Sequence, residues 1–138
     1  MKYHIIAHGD DTPAFTRALG HALHLTLQSQ SKQMLIKIGQ LSNATGIMSD
    51  VLGETAVKKL IKDKQITINL DQDTITIYLE GNRTRRSNFS GGTVFAPWET
   101  PDSLESVLTD HRTHDSVYVP WLSDELTAYL AKHNSTEI

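Results

Sequence analysis

Val94-Phe95-Ala96-Pro97-Trp98 and, 23 residues later, Val117-Tyr118-Val119-Pro120-Trp121 are the two stretches whose reading decides the fold. Each is a short apolar run stopped by Pro-Trp and followed within two or three residues by a helix-start signal. Thr100-Pro101 supplies that signal after the first, and Ser123 with Asp124 and Glu125 after the second. Proline ends a strand because it brings no ladder donor. A Ser or Thr side chain accepts from the free amides of a first helical turn. The pair therefore reads as two successive strand-turn-helix units, so two parallel strands end at one edge of a sheet. An offset of one strand-helix unit does not imply a repeat array.

Upstream, the same alternation continues. Lys2–Ala7 is a first strand, short and apolar enough to be central, and His8-Gly9-Asp10-Asp11 is a turn. Thr12 caps a helix with Pro13 at its first position, and Phe15, Ala18, Leu19, Ala22 and Leu23 form its apolar stripe. Met34–Ile38 is a second strand. Residues 39–49, rich in Gly, Ser, Asn and Thr, read as loop, and Asp50–Asp63 as a second helix. Ile66–Leu70 and Ile75–Leu79 alternate Ile or Leu with Thr, Asn or Tyr. Joined by Asp71-Gln72-Asp73-Thr74, they predict a β-hairpin at a sheet edge. Residues 81–92 form a polar loop that carries Arg83, Arg85 and Arg86.

This order predicts one domain over residues 1–138, a three-layer α/β sandwich. Its sheet is mostly parallel, Rossmann-like or flavodoxin-like, with the hairpin contributing an antiparallel edge strand.

Composition narrows the chemistry. With no cysteine among 138 residues, disulfides, thiolate catalysis and Cys-ligated zinc are excluded. The N-terminus lacks the apolar core of a signal peptide, and no run approaches the ~20 apolar residues of a membrane span, so the expected location is cytoplasmic. The net charge of −3 hides an asymmetry: residues 1–98 hold 11 basic and 8 acidic side chains, residues 99–138 only 2 basic against 8 acidic. That acidic last third disfavours a nucleic-acid surface over the whole domain. GxGxxG, P-loop and GxSxG patterns are absent, which disfavours dinucleotide redox chemistry and serine hydrolysis.

Ligands of open α/β sheets bind outside the carboxyl ends of the strands. Trp98, Glu99, Trp121 and Ser123 fall there, and the two indoles would flank a crevice with flat apolar surface. His8, Asp10 and Asp11 follow the first strand at the same edge. Adjacent carboxylates can hold Mg²⁺ through oxygen, with His8 as acid or base; the simpler role of Asp10 and Asp11 is a turn that favours the helix N-terminus. Asp71 and Asp73 join that edge if Ile66–Leu70 runs parallel to the other strands. In that case Arg83, Arg85 and Arg86 lie at the opposite edge, near Lys58, Lys59, Lys62 and Lys64, and could clamp a phosphate. The pairs His21/His24 and His111/His114 read as surface histidines, since no third ligand accompanies them.

A competent scaffold without a catalytic constellation predicts a non-catalytic module that binds a small molecule or a protein, with no resident cofactor. Its hairpin edge, with Thr67, Asn69, Thr74, Thr76 and Tyr78 on one face and no charge among them, could pair with a second copy. The alternative is a Mg²⁺-dependent enzyme acting on a nucleotide or phosphorylated small molecule. Nucleic acid and membrane are the disfavoured partners.

Overall fold

Every position of the strand Gly92–Pro97 is buried, as expected of an apolar strand covered on both faces. It is the middle strand of a seven-stranded sheet in the computed structural model, whose described residues are 1–39, 41–70, 72–81 and 86–138, with backbone alone for 41–44. In chain order the elements are β1 Lys2–His4, α1 Thr12–Gln28, β2 Gln33–Lys37, α2 Leu41–Leu52, α3 Glu54–Asp63, β3 Gln65–Leu70 and β4 Asp73–Glu80. They continue with β5 Gly92–Pro97, α4 Pro101–Thr109, β6 Thr113–Val119, α5 Ser123–Lys132 and β7 Thr136–Glu137. The strand order is β3-β4-β2-β5-β6-β1-β7. Only the β3–β4 pair is antiparallel among the described residues. The three-layer α/β sandwich is therefore the fold, and the hairpin does supply the antiparallel edge strand.

Two hydrophobic layers hold the sheet. On the first face, α1 buries Phe15, Ala18, Leu19 and Ala22 against Ile36, Phe95 and Val117, and α2 and α3 add Met48, Val57 and Leu60. On the second face, α4 and α5 cover Ala96 and Tyr118 with Leu104, Leu126 and Tyr129. The remaining part of that face meets Phe89, which packs with Leu35, Tyr78, Val94 and Val107. Helix caps follow the short polar residues. The Asp11 carboxylate accepts the Ala14 amide at 3.0 Å, and the Thr100 hydroxyl accepts the Ser103 amide at 3.3 Å.

Several expectations are corrected. The cap of α1 is Asp11, with Thr12 already helical. Residues 41–49 are helical and not loop, because burial of Met48 and packing of Ile47, Val51 and Leu52 outweigh the weak helix propensity of Ser, Asn, Thr and Gly. Gly53, at φ +92°, breaks the second helix into α2 and α3. β1 lies between β6 and β7 and is not central.

The largest correction is the hairpin's direction. β4, not β3, runs parallel to its neighbour β2, so the loop carrying Arg86 starts at the carboxyl edge and Asp73 sits at the opposite one. The α3 lysines belong to the helix layer on the first face, while residues 86–91 cover the second, so the expected shared basic patch is divided by the sheet. Lys58 pairs within its own helix with Glu54 at 3.0 Å. Asp71, Arg83 and Arg85 lie outside the described residues.

Gly92 shows how closely this loop returns to the sheet. A Cβ there would lie 2.5 Å from the Gln33 carbonyl oxygen, at φ +151°. Gly92→Ala should therefore lower stability by about 2 kcal/mol or more. Gly20→Ala, which meets open space inside α1, should raise it by roughly 0.5–1 kcal/mol. Urea unfolding midpoints at unchanged slope would check both.

Candidate functional site

Among the described residues the connection from β4 to β5 places no helix on the second face, and this creates the site. Where a crossover helix would lie, residues 86–91 descend the face instead, tied by the Ser90 amide to Gln33 Oε1 at 2.9 Å. Between this segment and α4 opens a cleft of about 500 Å³. Alternate residues of the strands form its floor, Leu35 and Lys37 from β2 and Val94 from β5. Ser106 and Val107 of α4 make one wall, Gly81 and Arg86 the other, and His111 stands at the rim.

A buried ion network closes one side. Arg112 donates to both Glu80 oxygens at 2.9 and 3.0 Å, and from Nη2 to Asp110 Oδ2 at 2.8 Å. Its guanidinium also lies 5.5 Å from the centre of the Phe89 ring. The Ser87 amide and hydroxyl complete the shell of Glu80 at 2.9 and 2.6 Å. Burial opposes ionisation of Glu80, but Arg112 and Ser87 outweigh it and hold the carboxyl below its ordinary range. Hydrogen bonds from Arg112 bring Asp110 down to about 2. Both carboxylates stay ionised, and the Arg112 side chain, 7% exposed, is spent on them.

Lys37 is differently placed. Its ammonium stands 4.0 Å from Glu80 Oε1, a carboxylate that Arg112 and Ser87 already occupy.

At the head of the cleft lies the topological switch point. The chain leaves β2 for α2 on the first face and leaves the adjacent β5 for α4 on the second, so the ends of these two strands part. Trp98 and Glu99 occupy this position. Trp98 adopts φ +59°, a strained value for an indole-bearing residue, held by its amide donating to Val119 O at 2.7 Å. Glu99 is 1% exposed, and neither carboxylate oxygen has a hydrogen-bond partner among the described residues. Burial pushes its pKa up to about 7. Lys37, the Ser103 hydroxyl and the Gly39 amide draw it part of the way back without meeting it in full bonding geometry.

The residues expected from sequence divide. Trp98 and Trp121 are neighbours, edge to face with ring centres 5.4 Å apart, because β5 and β6 are adjacent. Trp98 is half-buried on Phe15 at 5.3 Å, so it also lids the core. Ser123 is exposed at the first turn of α5. Arg86 lines the cleft. Asp11 is committed to its cap, while Asp10 and His8 are exposed. Among the described residues, no group of three His, Asp or Glu could hold a metal ion. His21 is not a plain surface histidine: it is half-buried and packs on Tyr3 at 4.6 Å.

Lys37, Glu80, Asp110 and Arg112 were not singled out by sequence, and Glu99 was placed at the carboxyl edge without a role. Parity along β4 was a usable signal, since Glu80 shares a face with Tyr78. So was position, since Glu99 stands between a strand end and a helix cap. Among protein-family models, curated proteins and solved structures, none matches this chain.

Proposed function

We propose that the protein is a binding domain for a small anionic molecule with an apolar portion, held in the cleft over β4, β2 and β5. The single observation that carries this is Lys37: a half-buried ammonium on the cleft floor beside Leu35 and Val94, whose one ion-pair contact among the described residues is a long one, 4.0 Å, to an already occupied carboxylate. Such a group can take an anion at small desolvation cost. Arg86 adds a second cation at the wall, and Leu35, Val94 and Val107 offer apolar surface. The volume falls inside the range of ordinary small-molecule sites, roughly 300–1,000 Å³.

2-Naphthalenesulfonate combines both features and is a direct probe. Titration calorimetry should show saturable binding to the wild-type protein. Ser106→Trp fills the cleft from an exposed helix position, and Lys37→Met removes the floor cation. Each should weaken binding by about tenfold or more, the loss of a charge-assisted hydrogen bond or of its space. Unchanged affinity in both variants would overturn the assignment.

A further inference from the structure

Lys37 serves two carboxyls at once. It faces Glu80 at 4.0 Å across the cleft floor, and it is the cation whose charge acts on Glu99 at the switch point. Glu99 is enclosed by α4 through Ser103, by the end of β2 through Lys37 and Gly39, and by β6 through Tyr118. Burial raises the Tyr118 hydroxyl, so it stays neutral. The carboxyl is this enclosed and neither oxygen has a hydrogen-bond partner among the described residues, and the Lys37 ammonium is the largest of the influences that oppose its burial.

We infer that anion binding at Lys37 is coupled to proton uptake by Glu99. This rests on the cleft being the ligand site. An anion on Lys37 diverts the ammonium's field and adds negative charge, so the Glu99 carboxylate gains a proton from solvent. Linkage requires the converse. Once Glu99 is neutral, Lys37 is released toward the cleft and the anion binds more tightly. Affinity should therefore rise as pH falls through neutrality. Arg112 keeps its charge over that range, as do the two carboxylates it holds. His111 stands exposed at the rim of the same cleft, so it needs its own control.

2-Naphthalenesulfonate, ionised throughout, would be titrated at about pH 6 and about pH 8 into wild type, Glu99→Gln and His111→Gln, in two buffers of different ionisation heat. Wild type should bind at least about fivefold more tightly at the lower pH and take up part of a proton near neutrality. Both effects should vanish in Glu99→Gln and persist in His111→Gln. Carbon-13 NMR of the Glu99 carboxyl in the wild-type protein gives a second readout, which does not depend on a variant's folding: its midpoint should move up when the sulfonate binds. Binding with an unmoved midpoint, or a pH dependence that survives in Glu99→Gln, would overturn the coupling and leave the cleft standing. No binding at either pH would overturn the cleft assignment and the coupling with it.

Discussion

Replacing Arg112 by methionine is expected to lower stability by about 3–5 kcal/mol, the cost of leaving a buried carboxylate without its partner. Glu80 is 2% exposed and, among the described residues, would keep Ser87 and the distant Lys37. The loss should lower Tm by roughly 10–15 °C in a chain of this size. The double variant Glu80→Met/Arg112→Met should recover much of it, since apolar replacement of a whole ion pair is often neutral. Acid titration gives a second check, and its sign follows from depressed pKa values. Asp110 falls from 3.8 to about 2 on folding, and Glu80 also lies below its ordinary value. Their contribution is complete above the unfolded values and is lost as pH falls through the folded ones, from about 4 toward about 2 for Asp110. Wild-type stability should drop through that window, and the Arg112→Met curve should be flatter. A single variant costing under about 1 kcal/mol would show that the network does not hold the loop to the sheet.

Glu99→Gln has the opposite expected effect, and its size depends on pH. Burial raises the Glu99 carboxyl from 4.5 to about 7, so the folded state keeps a proton that the unfolded chain releases. For a raised pKa, the stabilisation is complete below the unfolded value and is lost as pH climbs through the folded one. Wild type should therefore weaken between about pH 4.5 and about pH 7, by roughly 3 kcal/mol in all. Glutamine does not titrate. The stability of Glu99→Gln relative to wild type should then rise by that amount between about pH 4 and about pH 8. Comparing the two pH values cancels any fixed cost of burying the amide. Parallel curves for the two proteins in urea would mean that Glu99 titrates normally in the fold.

The cleft and the switch point show why the site was harder to see in the sequence than the fold. Pro97-Trp98 and Pro120-Trp121 mark strand ends through local chemistry, and the edge hairpin is visible in its two-residue period. Those signals are short-range, and they gave the sandwich, the parallel strands and the edge position of β3 correctly. The site instead joins residues distant along the chain: Arg112 meets Glu80 across 32 positions. Charged residues at strand ends look solvated until the neighbouring strands are known. The helix at 41–52 was hidden for a related reason, since its stability comes from Met48 and its neighbours packing on other elements and not from the propensity of Ser42, Asn43, Thr45 and Gly46.

What the amino-acid sequence determined by itself was what local forces specify: the cap at Thr100, breaks at Pro and Gly, and the period of each buried face. Strand order and hairpin direction were settled only in three dimensions, because both depend on which surfaces exclude the most water together. Pairing β4 parallel to β2 left the Arg86 loop, not a helix, over the second face. That one choice opened the cleft, buried Arg112 against Glu80, and set Glu99 at the parting of β2 and β5 with Lys37 between them.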